Sequence, residues 1–184
     1  MAEKLRILGI SGSLRKGSWN TAALRAAVEL CPDDAEIEVC EIGHLPLFDQ
    51  DFEQDLPPAV KEFKEKVAAA DAILFSTPEY NYSIPGGLKN AIDCGSRPYG
   101  HSAWDGKPAA IMGASGGAIG TARAQYDLRK MMVFLNMFPI NKPEVMIGNA
   151  GTKFDAEGNL TDESTEQFIR QMLENLIAWT KKLK

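Results

Sequence analysis

Residues 11–21 contain the first concentration of side chains that could bind a ligand. Hydroxyls, one cation and one amide stand close together here: Ser11, Ser13, Arg15, Ser18, Asn20 and Thr21. An apolar run at residues 7–10 precedes them, and an alanine-rich pattern with helical spacing follows. A turn between a strand and a helix offers backbone N–H groups and the positive end of the helix dipole to an anion. The segment therefore predicts a phosphate-binding loop.

This loop differs from two common nucleotide-binding motifs. Gly12 and Gly17 have the spacing of a Walker A loop, but Ser18 and Trp19 stand where that motif has Lys and Ser or Thr. The third glycine of the dinucleotide motif is also missing. What remains suits a terminal phosphate monoester held without a metal, with Arg15 offering a forked pair of hydrogen bonds. On these residues alone, a solvated turn with an N-cap at Ser18 or Asn20 is an equal alternative.

A second candidate segment, residues 76–87, combines aromatic and polar side chains between two prolines. Its central residues are Pro78, Glu79, Tyr80 and Asn81. Proline stiffens the backbone and restricts the residue before it, so we expect a rigid loop. Such a loop could present backbone groups to the edge of a flat heterocycle. The alternative is a stiff surface connection whose tyrosines pack locally.

A third segment, residues 113–120, consists almost entirely of small residues. Ser115, Gly116 and Gly117 stand at its centre, between a predicted strand and a predicted long helix. Small residues allow a ligand to approach the backbone closely. A tight turn that needs a positive φ would explain any one glycine, but three such loops after three strands favour a ligand site.

Hydrophobic periodicity predicts the elements that must position these loops. Strands are expected at residues 5–10, 36–42, 72–77, 109–114 and 144–147, and helices at residues 21–30, after Pro57 and Pro58, and at residues 85–96, 119–135 and 162–183. This alternation predicts an α/β fold with a parallel sheet covered on both faces, in one domain of residues 1–184. In the last helix, the stripe of Phe168, Met172, Leu176 and Trp179 is predicted to be core. Ligands of such folds bind beyond the carboxyl ends of the strands.

Composition narrows the class of protein. The 184 residues carry a formal net charge of -5, which argues against nucleic acid or an anionic membrane as a partner. No apolar stretch is long enough for a membrane span, and no signal-peptide pattern opens the chain. Three cysteines without a CxxC pair favour buried thiols in a reducing cytoplasm, and two isolated histidines argue against a zinc site.

The three loops together resemble the NADPH-dependent FMN reductase family, a flavodoxin-like group that includes quinone and chromate reductases. The resemblance is carried by the segments at residues 12–20, 77–81 and 83–93. It implies strand order 2-1-3-4-5, with FMN as cofactor and NADPH or NADH as electron donor. By position it implies that residues of the first loop (Ser11, Ser13, Arg15, Ser18, Asn20, Thr21) hold the phosphate. It likewise implies that Pro78, Glu79, Tyr80 and Asn81 line the isoalloxazine ring, and that Ser115, Gly116 and Gly117 close the ring pocket.

The implied activity is transfer of a hydride from NAD(P)H through the flavin to quinones, flavins or metal oxyanions such as chromate, so no protein residue need be catalytic. A flavodoxin-type electron carrier with a protein partner is the alternative, and a phosphate-ester enzyme is disfavoured by the absent Walker lysine. Family members are often dimers or tetramers. We therefore expect a homo-oligomer in which Arg123, Tyr126 and Glu144 form hydrogen bonds across an interface near the substrate opening, with residues 45–49 near a neighbour's flavin.

Overall fold

A parallel β-sheet forms the centre of the fold in the computed structural model, which describes residues 4–184. Its strands are β1 (Leu5–Ser11), β2 (Ala35–Cys40), β3 (Ala72–Ser76), β4 (Pro108–Ala114), β5 (Phe138–Pro139) and β6 (Val145–Ile147). All pairs are parallel and the order is β2-β1-β3-β4-β5, with β6 also paired to β4. The predicted strand order of a flavodoxin-like fold is confirmed. β3 and β4 are buried along their whole length, as expected for a sheet covered on both faces.

The fifth position of the sheet is divided between two short strands, where the sequence predicted one strand at residues 144–147. β5 pairs with the beginning of β4, and β6 pairs with its end. Pro143 lies between the two pieces and has no N–H group to donate to a ladder. A continuous strand beside β4 is therefore interrupted between the two pieces.

Helices cover both faces of the sheet and complete the predicted three layers. They are α1 (Trp19–Glu29), α2 (Pro58–Ala69), α3 (Gly86–Ser96), α4 (Ala122–Phe134) and α5 (Glu163–Leu183). One apolar cluster joins α2, α3 and α4 to the sheet, and a second joins α1 and α5 to its other face. α4 begins three residues later than predicted, because Gly120 has a φ of +67° that a helix cannot contain.

The terminal helix α5 contradicts one part of the sequence prediction. Met172 and Leu176 are buried and Trp179 packs against the same cluster, but Phe168 is 50% exposed. Phe168 shares a helical spacing with the core residues yet lies at the edge of their stripe, next to buried Ile169. Although α5 has 21 residues, neither it nor any other helix within residues 4–184 is apolar enough to cross a membrane.

The register of the sheet brings the three candidate loops together. Ser11 of β1 lies beside Ser76 of β3, and Ser76 lies beside Met112 of β4. Because the strands are parallel, the loops that follow them, residues 11–18, 77–85 and 115–121, all leave the same edge of the sheet. We call this edge, with its three loops, the carboxyl edge.

Candidate functional site

Ser18 fixes the junction between the first loop and α1. It is the N-cap of α1, and its Oγ accepts hydrogen bonds from the N–H groups of Asn20 (3.1 Å) and Thr21 (3.4 Å). Of the two N-caps that the sequence allowed, the structure selects Ser18. The cap leaves the positive end of the α1 dipole directed at the loop.

The remaining hydroxyls of this loop bond to one another or to the backbone of the loop. Ser11 Oγ lies 3.0 Å from Thr21 Oγ1, and it accepts a hydrogen bond from the N–H of Ser13 at 3.3 Å. Ser13 Oγ in turn accepts from the N–H of Arg15 at 3.4 Å. These bonds fold the chain tightly after β1 and hold the hydroxyls at the entrance to α1.

The tip of the loop offers hydrogen-bond donors. Within residues 4–184, the backbone N–H groups of Lys16, Gly17 and Ser18 have no protein acceptor. The Arg15 guanidinium is exposed beside them, with its Cζ 5.8 Å from the centroid of the Trp19 ring. Adjacent N–H groups, an exposed cation and a helix N-terminus form a set of donors for an anion.

Asn20, which the family resemblance placed among the residues that hold the phosphate, bonds within the protein. Its side chain is buried, and the amide donates to the carbonyl of Ala114 at 2.9 Å while its Oδ1 accepts from the N–H of Ala114 at 2.8 Å. The same Oδ1 accepts a hydrogen bond from Ser76 Oγ at 3.3 Å. The side-chain amide is thus engaged within the protein, so Asn20 fastens the first loop to the ends of β3 and β4.

Glu79 in the second loop caps α4. One carboxylate oxygen accepts from the N–H groups of Arg123 (2.9 Å) and Ala124 (3.2 Å), and the other accepts from Arg123 Nη1 at 3.0 Å. A carboxylate at a helix N-terminus satisfies its free N–H groups and interacts favourably with the helix dipole. Glu79 therefore contributes to the second loop chiefly by joining it to α4, and its side chain is only 11% exposed.

A two-residue hairpin forms the outermost part of the second loop. Tyr80 and Ser83 exchange two backbone hydrogen bonds, of 2.9 and 3.0 Å, around Asn81 and Tyr82. Pro78 is buried below them, whereas Tyr80, Asn81 and Tyr82 are exposed. Backbone hydrogen bonds thus close the tip of this loop, and its aromatic rings are exposed at the carboxyl edge.

The third loop is held open by Ser115. Its Oγ donates to the carbonyl of Gly120 at 2.7 Å and accepts from the N–H of Gly117 at 3.3 Å. Gly116 and Gly117 are exposed, so their backbone is accessible. Below the loop, a β-carbon at Gly113 would lie only 2.0 Å from Thr121 Oγ1, which explains why glycine is required there.

The three loops of the carboxyl edge thus bring together a set of hydrogen-bond donors, an exposed aromatic hairpin and an accessible glycine backbone. The chain also matches the family model of the NADPH-dependent FMN reductases over residues 5–152. The chain belongs to this family.

Full-length relatives support the assignment. The NAD(P)H-dependent FMN reductase of Pseudomonas aeruginosa is 52% identical, with all of both chains covered. A quinone reductase of Pseudomonas putida is 45% identical over 98% of this chain and 97% of its own length. Among solved structures, the flavoenzyme NAD(P)H:(acceptor) oxidoreductase FerB of Paracoccus denitrificans has a TM-score of 0.89 and 36% identity, and the match covers 97% of this chain and 98% of that one.

The family's cofactor, FMN, fits the donor set at the carboxyl edge. Its phosphate needs several N–H donors and a cation, which the tip of the first loop and Arg15 provide. A planar ring needs a backbone that it can approach closely, which the third loop offers. It also needs side chains beside it, which the second loop offers. The part of the chain that the structure describes has no group of three or more His, Cys, Asp or Glu side chains placed to hold a metal ion.

Trp19 belongs to this site, although the sequence analysis did not select it. Its indole lies against two glycine backbones, since a β-carbon at Gly116 or Gly151 would stand 3.7 or 3.6 Å from the ring. Trp19 thereby connects the first and third loops. Its position directly after the hydroxyl-rich loop was the only sequence signal, and contact with residues far along the chain could not be deduced from it.

The predicted interface residues bond within one chain in this structure. Tyr126 donates its hydroxyl to Glu144 Oε1 at 2.8 Å, and this bond raises the pKa of Tyr126 because a phenolate would face a carboxylate. Arg123 pairs with Glu79. Gln125 is buried, and its amide donates to the carbonyl of Val145 at 3.0 Å.

Proposed function

We propose that the chain is an FMN-dependent reductase that transfers two electrons from NAD(P)H to quinones. The overall reaction converts NAD(P)H, one proton and a quinone into NAD(P)+ and a hydroquinone. The observation that carries the proposal is the meeting of three chemically different loops at the carboxyl edge. The quinone reductase of Pseudomonas putida, at 45% identity, supports this class of acceptor.

Each loop has a separate task in this proposal. Arg15, the free N–H groups of residues 16–18 and the hydroxyls of Ser11, Ser13, Ser18 and Thr21 hold the phosphate of FMN. Residues 78–81 line the ring, with Glu79 acting through the cap that it gives to α4. The backbone of residues 115–117 closes the ring pocket. Within residues 4–184 the N–H of Gly116 has no protein acceptor, so it can stabilise negative charge.

The chemistry that FMN supplies when bound is two-electron transfer between NAD(P)H and an acceptor. The protein binds and orients the cofactor and shields it from water. We assign no side chain to proton transfer. NAD(P)H and the acceptor would use the same opening at the carboxyl edge in turn. We therefore expect ping-pong kinetics.

Steady-state oxidation of NADPH or NADH by the purified, FMN-loaded protein with 1,4-naphthoquinone tests this proposal. Turnover without any added protein supports a reductase, whereas reduction that stops after one equivalent of NAD(P)H would identify an electron carrier. A ternary-complex kinetic pattern would contradict the shared opening. Free flavins and chromate, proposed as further acceptors, can be compared in the same assay.

We also propose that the protein is a homo-oligomer, either a dimer or a tetramer. In it, a second copy covers the face of α4 that carries Val133 and Phe134. Val133 and Phe134 on α4 are 83% and 80% exposed, and Tyr99, which lines the same surface cavity as Phe134, is 79% exposed. Large apolar side chains that are this exposed mark interaction sites when they cluster. Arg123, Tyr126 and Glu144 would lie near the same contact and nearer the carboxyl edge.

Residues 45–49 support a second point of contact with a neighbour. Asn90 donates to the carbonyl of Pro46 at 2.8 Å and accepts from the N–H of Phe48 at 2.8 Å, so the loop is fixed on both sides of Leu47. Leu47 itself is 83% exposed. An exposed apolar side chain on a backbone fixed at both ends suits an intersubunit contact near the carboxyl edge, because little backbone freedom remains to be lost.

The proposed location is the cytoplasm, where NAD(P)H is available. Cys40 and Cys94 are buried, and burial raises the pKa of both thiols, so they are poor nucleophiles. Cys31 is half-buried, a partial departure from the prediction of buried thiols. Fractionation of cells that express the protein tests the location.

A further inference from the structure

Tyr82 has an unusual backbone conformation for a bulky residue. Its φ is 67°, and that of Asn81 is 51°, so both central residues of the hairpin are left-handed. Two-residue hairpins of this kind favour Asn or Asp followed by Gly, since side chains with a β-carbon are disfavoured at positive φ. Asn81 follows that preference and Tyr82 opposes it. The preference of the backbone at this position therefore does not explain a tyrosine.

The Tyr82 ring is held from one side by Arg123. The guanidinium carbon lies 4.2 Å from the ring centroid, within the range of a cation–π contact. Arg123 is in turn fixed by its ion pair with Glu79, at 3.0 Å. The residue as a whole is still 69% exposed, so the ring has a fixed orientation and an open surface at the carboxyl edge.

We propose that Tyr82 is a specificity-determining residue whose ring forms one wall of the opening for planar, ring-shaped acceptors. This inference rests on the proposed quinone reductase function. A pre-positioned aromatic surface binds a flat ring with little loss of conformational freedom. Unfavourable backbone conformations persist where they have a use, and here the use is to aim the ring.

Two substitutions at Tyr82 separate the ring from the backbone. Tyr82→Gly removes the ring and suits the left-handed backbone, whereas Tyr82→Phe keeps the ring. We expect Tyr82→Gly to raise the KM for 1,4-naphthoquinone at least fivefold and to leave the KM for ferricyanide, which has no flat ring, within twofold of wild type. In Tyr82→Phe, the KM for each of the two acceptors should stay within twofold of the wild-type value.

Two measurements do not depend on turnover. Calorimetric titration of the FMN-loaded, oxidised protein with 1,4-naphthoquinone should show a Kd that rises at least fivefold in Tyr82→Gly. The melting temperature of Tyr82→Gly should equal or exceed that of wild type, because the strain is relieved. Asn136→Gly is the matched control, because Asn136 also has a positive φ, of 52°, but lies away from the carboxyl edge. Its replacement should leave the KM for both acceptors unchanged.

Unchanged quinone affinity in Tyr82→Gly would overturn the inference. An equal rise in the KM for 1,4-naphthoquinone and for ferricyanide, together with a lower melting temperature, would also overturn it. That result would show that Tyr82 has only a structural role. These outcomes differ from failure of the proposed function, in which the wild-type protein would turn over neither acceptor. The calorimetric comparison decides the role of Tyr82 in that case as well.

Discussion

The side chain of Asn20 pairs with the backbone of Ala114 as a strand residue would. The amide donates to the Ala114 carbonyl and the amide oxygen accepts from the Ala114 N–H, at 2.9 and 2.8 Å. β3 ends at Ser76, opposite Met112, so Asn20 takes the place that a further residue of β3 would hold beside β4. The first loop is thereby fixed to the strand that leads into the third.

Asn20→Ala should destabilise the protein by about 2–4 kcal/mol, because the buried N–H and carbonyl of Ala114 lose their partners. Urea unfolding of the FMN-free protein measures this change directly. Asn175→Ala is the control, since exposed Asn175 makes one hydrogen bond, to the carbonyl of Lys142. Equal effects of the two substitutions would contradict the special role of Asn20.

Arg15→Ala should weaken FMN binding at least tenfold, because a charge-assisted hydrogen bond contributes roughly 1.5–3 kcal/mol. Titration followed by flavin fluorescence gives the dissociation constants. Lys16→Ala removes a neighbouring exposed cation and should have the smaller effect. If both variants bind FMN as tightly as wild type, Arg15 does not hold the phosphate.

Glu79→Ala should lower the free energy of unfolding by about 1–2 kcal/mol, because α4 loses its cap. Hydrogen exchange should speed up at the N–H groups of Arg123 and Ala124. Glu79→Gln keeps an acceptor oxygen and should lie between wild type and Glu79→Ala. Glu174→Ala, at an exposed position in the middle of α5, is expected to change neither measurement. Unaltered exchange at the start of α4 would show that the cap is dispensable.

Asp162 should make stability depend on pH in the acid range. Its carboxylate accepts hydrogen bonds from the Thr165 hydroxyl and N–H and lies 3.3 Å from Lys153 Nζ, which together lower the pKa of Asp162. A lowered folded-state pKa means that the stabilisation is complete above the ordinary pKa of Asp and is lost as pH falls through the folded value. Asp162→Asn keeps a capping side chain but not the charge.

Urea unfolding at a series of pH values tests this dependence. Wild type should be more stable than Asp162→Asn at pH 7, and the difference should shrink as the pH falls below the ordinary Asp range. A difference that is constant with pH would show that the charge of Asp162 does not contribute.

Phe134→Ser should weaken self-association, because Phe134 is 80% exposed on the face of α4 that we propose to be covered. Sedimentation at micromolar protein should show a shift toward smaller species. Phe168→Ser is a matched control, since Phe168 is 50% exposed on α5, in the layer on the opposite face of the sheet. A wild-type protein that sediments as a monomer would refute the proposed oligomer.

The sequence by itself determined the alternation of strands and helices and the position of the three candidate loops. Apolar runs that alternate with helical patterns require a parallel sheet, and the strand ends then place residues 11–18, 77–85 and 115–121 at one edge. These features depend on local patterns and on the topology that follows from them. The resemblance of the same loops to a flavin reductase family added the strand order and the cofactor.

Only the tertiary structure decided which polar side chains bond within the protein and hold the loops together. Asn20 and Glu79 stood among the predicted ligand-binding residues, yet their partners lie 94 and 44 positions away, at Ala114 and Arg123. The same limit applies to two aromatic residues. Trp19 was not selected from the sequence but contacts the third loop, and Phe168 was predicted to be core but is half exposed. A residue type and its neighbours predict that a group will form hydrogen bonds or be buried, but the partner is chosen by contacts between distant parts of the chain.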